Sequence, residues 1–166
     1  MGATTTRSET PRFRVRASGS FEQKPGCPAS TAGLPADRLQ HLCLGECDNP
    51  SDSRRAITRI EVIRVRPQNA SEPLQELIES PWKTFSCDPA LAQSGCEVSF
   101  SDPEFAQQAR DTVYYVRAIE APGLAINAAS LSLVPCTERE KAGPDCLAPV
   151  EERAWSSPIY VDYQQR

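Results

Sequence analysis

Residues 12–17 (RFRVRA) alternate between charged and apolar side chains, which is the spacing of a β-strand with one buried face. The residues at the buried positions are Phe13, Val15 and Ala17. The arginines at the other three positions face outward, and their charge protects the strand against unwanted pairing if it lies at a sheet edge. We therefore expect a half-buried strand here.

Residues 57–66 (ITRIEVIRVR) are the best strand candidate in the chain. Ile60 and Val62 share one face of this strand. Ile63 and Val65 share the opposite face, so the parity of the pattern changes between Val62 and Ile63. This change predicts either partial burial of both faces or a β-bulge at that point.

Residues 112–120 (TVYYVRAIE) are largely apolar on both faces, as in a strand at the centre of a sandwich. Residues 154–163 predict the last strand, and Pro158 places it at an edge or a bulge because proline donates no backbone hydrogen bond. The shorter predicted elements are strands at 82–86, 97–100 and 131–134, helical turns at 36–43 and 74–78, a loop at 19–35, and polar turns at 46–52 and 102–104.

These elements predict a mainly β fold, an antiparallel β-sandwich of the immunoglobulin or fibronectin type with long, disulfide-bearing loops and little helix. The 15 prolines favour short strands joined by long loops over long helices. A chain of 166 residues is long enough for one domain with its own core. We assign residues 11–166 to a single β-rich domain and expect residues 1–10 to be a disordered or truncated segment.

Six of the seven cysteines form local pairs within the predicted loops: Cys43 with Cys47, Cys87 with Cys96, and Cys136 with Cys146. Cys27 is left over, and the spacing allows it to be unpaired or to pair with Cys43 or Cys47. Because there is no CxxC motif and only one histidine, disulfides explain the cysteines better than a zinc site does. Disulfides form in oxidising compartments, which favours a periplasmic or secreted protein.

Charge is distributed unevenly along the chain. The first 66 residues carry 11 basic and 7 acidic side chains, whereas the remaining 100 carry 7 and 15. Opposed halves can dock on each other or on a neighbouring domain. No Lys/Arg run and no segment of membrane-spanning length and hydropathy is present, so neither nucleic acid nor a membrane is an expected partner. Residues 1–6 also lack the apolar core of a signal peptide.

A self-sufficient enzyme is not expected from this sequence. Metal-assisted hydrolysis needs several nitrogen and carboxylate ligands at one point, but His41 is the only histidine. No GxSxG motif, phosphate-binding loop or GxGxxG motif occurs. We therefore assign no catalytic residue and no cofactor.

Two groups of carboxylates offer alternatives. Glu46, Asp48 and Asp52 cluster at a polar turn and are candidate calcium ligands, although the spacing of an EF-hand is missing. Asp102 and Glu104 are a candidate acid–base pair, but helix capping and solvation explain them more simply. The alternative function is therefore an independent sandwich-type module that binds calcium or carbohydrate.

Several segments occur together in an order that resembles a known family. They are FEQKPGCP (21–28), LCLGECDNPSD (42–52), ITRIEVIRVRPQ (57–68), DPEF (102–105), RDTVYYVRAIEAP (110–122) and ERAWSSPIYVDY (152–163). They resemble the C-terminal portion of a large, uncharacterised bacterial family of secreted or periplasmic proteins, a domain of unknown function related to the PHP (polymerase and histidinol phosphatase) metallohydrolases. The resemblance covers nearly the whole chain, starting near Arg7.

In that family the metal ligands are expected in a longer N-terminal region with HxH motifs, which this sequence lacks. The resemblance therefore transfers no metal ligand or catalytic residue to this chain. It implies a β-rich C-terminal part that packs against the N-terminal metal-binding domain of a parent protein, with Met1 internal to that parent or created by truncation of the gene. On this interpretation Arg14 and Arg16 face the partner domain.

Overall fold

The computed structural model describes residues 2–43, 48–69, 72–126 and 147–164. These residues form a mainly β fold, as predicted, with the short helices α1 (Ala36–Cys43) and α2 (Pro103–Gln108). The strands are β1 (Ala3–Arg7), β2 (Arg12–Ala17), β3 (Phe21–Pro25), β4 (Asp48–Arg54), β5 (Ile57–Val65), β6 (Ile78–Ser86), β7 (Cys96–Ser101), β8 (Thr112–Glu120), β9 (Gly123–Ile126), β10 (Leu147–Val150), β11 (Arg153–Trp155) and β12 (Ile159–Tyr163).

A central sheet forms the larger layer, with strand order β1-β12-β8-β5-β6, and β11 also pairs with β8. β5 and β8, which the sequence marks as the strongest strands, lie side by side in the middle of this sheet. Their apolar residues on both faces suit a strand that is covered from above and below. Every pairing in the sheet is antiparallel except that of β1 with β12.

The change of parity in β5 reflects both of the predicted causes. Val62, Ile63 and Arg64 are consecutive and all buried, so both faces of β5 are covered at this point. The register between β5 and β6 also shifts between Val62 and Arg64, and the additional residues lie in β6. The register shift therefore lies at the point that the sequence of β5 predicts, although the extra residues belong to the neighbouring strand.

A smaller layer, the antiparallel pair β2–β7, packs on the central sheet and completes a sandwich-like arrangement. The predicted alternation in β2 is confirmed, because its apolar positions are half-buried and its arginines are exposed. Ile60 and Ala118 from the central sheet form the core between the layers with Cys96 of β7. Val15 and Val98 pack against this cluster.

The second part of the core is aromatic. Phe105 from α2 is buried with Tyr114 and Val161. The ring of Phe13 stacks on Phe100 with centroids 4.9 Å apart and lies 4.7 Å from the ring of Tyr114. Through these contacts α2 and β2 both pack around Tyr114 of β8, which restricts sliding of the two layers.

Two predicted loops contain strands instead. Asp48–Arg54, predicted largely as a polar turn, is β4, and it pairs with β3 inside the segment predicted as a loop. The side chains of this pair are mostly polar, so the hydrophobic pattern carried no signal for it. The pair begins next to Gly19, where an added Cβ atom would lie 1.9 Å from the backbone oxygen of Arg55.

The last predicted strand is divided into β11 and β12, and the break lies at residues 156–158 around Pro158. β12 is not an edge strand, because β1 pairs with its other side. Residues 3–7, within the segment expected to be disordered or truncated, form that covering strand. At 74–78 the structure has a 3-10 turn, Leu74–Glu76, and Ile78 already belongs to β6. The predicted strand at 131–134 lies outside the described residues.

The predicted Cys87–Cys96 disulfide is present and joins the end of β6 to the start of β7. Cys27 is also disulfide-bonded, so of the two predicted alternatives, unpaired or paired, the second is confirmed. Cys47, Cys136 and Cys146 lie outside the described residues, and the side chain of Cys43 is not described. Within the described chain, no helix has the length and hydropathy needed to cross a membrane.

Candidate functional site

Arg64 is the centre of a buried ionic network. It lies opposite Tyr114 in the β5–β8 register, and only 2 % of its surface is exposed. Its Nη1 donates to Asp102 Oδ2 at 2.9 Å and its Nε donates to Glu79 Oε2 at 2.6 Å. Its Nη2 donates to Glu79 Oε1 at 3.0 Å and to Glu104 Oε2 at 2.8 Å. One guanidinium therefore holds three carboxylates from β6 and from the start of α2.

Asp102 is 1 % exposed and every interaction it makes is internal. Its Oδ1 accepts from the backbone N–H of Glu104 at 3.0 Å, which confirms the predicted helix cap. Its Oδ2 accepts from Arg64 and also from the hydroxyl of Tyr114 at 2.6 Å. The ring of Trp82 covers the guanidinium, with Arg64 Cζ 4.3 Å from the ring centroid.

Two groups of this network, Tyr114 and Arg64, have pKa values raised by their surroundings. Burial raises the pKa of the Tyr114 hydroxyl, and its hydrogen bond to Asp102 raises it further. Burial alone lowers the pKa of Arg64, but its hydrogen bonds to Glu79 and Asp102 outweigh this effect and raise it. The structure thus brings Asp102 and Glu104 together on Arg64 as their shared counter-ion, with Asp102 buried and the side chain of Glu104 48 % exposed.

A second row of charges lies on the opposite face of the central sheet. Arg59 donates to both carboxylate oxygens of Glu151 at 2.7 Å and to Glu61 at 2.9 Å. Glu61 also pairs with Arg117 at 2.8 Å. Burial alone raises the pKa of Glu61, but the hydrogen bond from Arg59 and the charge of Arg117 lower it overall. This alternating row stabilises the centre of the sheet.

Two of the three calcium candidates, Asp48 and Asp52, lie apart from each other. Asp48 and Asp52 both lie in β4 with exposed side chains. Four residues of extended chain separate them by about 13 Å, which is too far for one ion to be ligated by both. Glu46 lies outside the described residues, and within the described ranges no three His, Cys, Asp or Glu side chains are grouped to hold a metal ion. His41 is exposed on α1.

A groove of about 590 Å³ opens beside β2. Its lining includes Ile57, Val116 and Ala118 from the central sheet. Residues 15–18 form one wall, and residues 152–156, which include β11, form the other. Phe21 and Trp155 also line the groove, and they are 41 % and 60 % exposed. The site is thus an apolar floor between two strand edges, with aromatic side chains open to solvent.

Polar groups fix the end of the groove. Glu120 is buried there and accepts from the backbone N–H of Ser20 at 2.6 Å and from its hydroxyl at 3.1 Å. Arg55 lies against Gly123, where an added Cβ atom would come within 2.1 Å of Arg55 Nη1. Arg54 Cζ lies 3.9 Å from the centroid of the Phe21 ring. These contacts hold residues 18–21 in place beside the apolar floor.

The model of a protein family described as "Protein of unknown function (DUF3604)" matches residues 35–163. The chain belongs to the DUF3604 family. No curated protein and no solved structure shows a significant match to it. The DUF3604 match includes Arg64, Asp102 and the groove floor, whereas β1, β2 and β3 precede its first residue.

Two features of this DUF3604 chain, the Arg64 network and the groove, were not predicted from the sequence. Arg64 shares a face with Ile60 and Val62, and an arginine on the buried face of an apolar strand is a usable signal for an ion pair. The groove had no comparable signal. Its walls are 15–18 and 152–156, which are far apart in sequence and come together only because β2 packs over β8 and β11 pairs with β8.

Proposed function

We propose that this DUF3604 chain is a non-catalytic β accessory module of a larger protein related to the PHP metallohydrolases. In this proposal it packs against a metal-binding domain that supplies the chemistry. The proposal rests mainly on one observation, the difference in the number of strands between the two layers. The central sheet contains β1, β12, β11, β8, β5 and β6, whereas β2 and β7 face it. The apolar groove beside β2 leaves part of this sheet uncovered among the described residues.

The exposed side chains support the same conclusion. A module that packs against another domain needs an apolar surface that is open when the module is alone. Trp155 and Phe21 supply such a surface at the groove. Asp102, Glu79 and Glu104 are all engaged by one guanidinium, which supports a structural role for these carboxylates in this proposal.

We also place the parent protein in the bacterial periplasm or outside the cell. The Cys87–Cys96 disulfide supports this location, since such bonds persist in oxidising compartments. The bonded state of Cys27 supports it as well.

The test is to co-express this chain with the polypeptide that precedes it in the parent reading frame, with an affinity tag on that polypeptide only. We expect the two to co-purify as a one-to-one complex, measured by light scattering after gel filtration. Trp155→Ser should weaken retention at least tenfold. Leu91→Ser changes a side chain of similar exposure on a remote turn and should not weaken it.

Two results would contradict the proposal. One is a failure of the two polypeptides to co-purify while this chain alone is a monodisperse, cooperatively folding monomer. The other is metal-dependent hydrolysis of p-nitrophenyl phosphate by this chain alone, since the proposal assigns that chemistry to the partner domain.

A carbohydrate-binding module is the second candidate. The observation that favours it is the pair of exposed aromatic residues, Phe21 and Trp155, along one groove. Titration with a panel of cell-wall oligosaccharides should then change the fluorescence of Trp155, and Trp155→Ala should abolish binding. Unchanged fluorescence at millimolar oligosaccharide would exclude this alternative.

A further inference from the structure

β2 has one hydrogen-bonded edge and one free edge. The backbone N–H of Asp102 donates to the carbonyl of Pro11 at 3.3 Å, in register with the β2–β7 pairing. Hydrogen-bonded pairs alternate along an antiparallel ladder, so Phe13 and Val15 also bond to β7. The N–H and C=O groups of Arg14 and Arg16 therefore point to the other edge. Among the described strands, none pairs with β2 on that side.

The free edge of β2 borders the groove. Residues 15–18 form the near wall, and Val116 and Ala118 lie below it in β8. The far wall is formed by β11, which bonds to β8 alone among the described strands. A strand placed next to β2 would lie over this floor, at the position that a third strand of the smaller layer would occupy.

β7 shows what such a strand must look like. Its apolar residues Val98 and Phe100 face the core, whereas Glu97 faces outward. Both oxygens of Glu97 accept hydrogen bonds from Arg14 at 2.9 Å. The arginines of β2 thus favour an acidic neighbour on the outer face, and the core favours an apolar one on the inner face.

We propose that the groove binds an extended polypeptide segment that adds to the free edge of β2 as a third strand. Its inward side chains are apolar and contact Val116 and Ala118. Its outward side chains are acidic and lie beside Arg14 and Arg16. Main-chain hydrogen bonds supply affinity in this mode, and alternate side chains supply specificity. The inference rests on the proposed function, because the partner domain supplies the strand.

A second copy of this chain is a less suitable occupant. Antiparallel pairing of β2 with another β2 would place the outward arginines of both copies side by side, and like charges opposite each other destabilise a sheet. A partner strand with glutamate or aspartate at these positions has no such conflict.

The probes are two capped heptapeptides, one alternating valine with glutamate and the other alternating valine with lysine. We expect the glutamate peptide to bind at least tenfold more tightly in fluorescence polarisation, and less tightly as salt increases. In amide hydrogen exchange of the full chain, the peptide should protect the N–H groups of Arg14 and Arg16. The N–H groups of Phe13 and Val15 should not change, because they already bond to β7.

Arg16→Pro removes one N–H from the free edge without removing a β2–β7 hydrogen bond, and it should weaken peptide binding at least tenfold. Ser99→Pro is the matched control, since Ser99 occupies the equivalent outward position on the other free edge, that of β7. Arg16→Glu serves if the proline variant does not fold, and it should reverse the preference between the two peptides.

Equal binding of both peptides, or no protection at Arg14 and Arg16, would overturn the proposal. Protection that appears without peptide as the protein concentration rises would assign the edge to a second copy instead. Co-purification with the partner polypeptide that survives Arg16→Pro and Arg16→Glu would leave the accessory function standing and refute strand addition. Peptide binding without co-purification would support strand addition and refute the accessory function.

Discussion

Asp102→Asn separates the two tasks of Asp102, which caps α2 and neutralises Arg64. Asparagine is as good a cap as aspartate and has the same shape, so the hydrogen bond to the N–H of Glu104 is retained. The negative charge beside the buried guanidinium is lost. Any large loss of stability therefore reports on the charge and the hydrogen bonds of Oδ2 with Arg64 and Tyr114, and not on the helix cap.

The magnitude follows from the burial of the pair. Removal of one partner from a buried ion pair costs about 3–5 kcal/mol, because the remaining charge is left in a poorly solvated site. Arg64 keeps its hydrogen bonds to Glu79 and Glu104, so we expect a value of about 3 kcal/mol, at the lower end of that range. For a chain of this size, that corresponds to a decrease in Tm of about 6–12 °C.

The assay is urea unfolding at pH 7 followed by circular dichroism, with the disulfides intact and the free energy extrapolated to water. Asp88→Asn is the matched control, since Asp88 caps an exposed 3-10 turn by accepting from the N–H of Ala90 at 2.9 Å. That variant should lose only a few tenths of a kcal/mol. A loss below about 1 kcal/mol for Asp102→Asn, or equal losses for the two variants, would refute the assigned role of the Arg64 network.

Three further predictions concern the core, the disulfide and pH. Phe105→Ala should lower the free energy of unfolding by about 3–5 kcal/mol in the same assay, because it empties a fully buried site; a loss under about 1 kcal/mol would contradict this packing. The double variant Cys87→Ala/Cys96→Ala should lose about 2–3 kcal/mol relative to the oxidised wild type, and equal stability would show that the closed loop contributes nothing. The pKa of Glu61 is lowered in the folded state, so its stabilising effect is present above its ordinary value of 4.5 and lost as pH falls below it. Glu61→Gln should therefore flatten the acid side of the stability–pH curve, and an unchanged curve would argue against the Arg59–Glu61–Arg117 row.

Strands that bury one face could be predicted because their side chains record the burial. β2 alternates arginine with apolar residues, and the structure shows the same alternation in exposure. The uneven charge of the two halves also had a structural meaning. Arg14, Arg59 and Arg64 from the first part of the chain pair with Glu97, Glu151 and Asp102 from the second. The halves therefore dock on each other, as the charge pattern allowed.

Strands that depend on backbone pairing could not be predicted in this way. β3 and β4 pair with each other through largely polar segments, and β1 (ATTTR) carries no apolar run. These strands form because their backbones pair with a neighbouring strand, and a local sequence pattern does not specify that pairing. The groove is harder still to predict, because it depends on β2 packing over β8 while β11 pairs with β8 in the sheet.

The pairing of β1 with β12 has a consequence for how the chain assembles. During synthesis β1 is made before the other described strands, and its partner β12 is made after all of them. Contacts between distant segments form slowly, because the long intervening loop must close before they contribute any stability. We therefore expect slow refolding in which the β1–β12 pairing forms last. Until β12 has been synthesised, the nascent chain exposes the unpaired edge of β8, which makes it prone to aggregation.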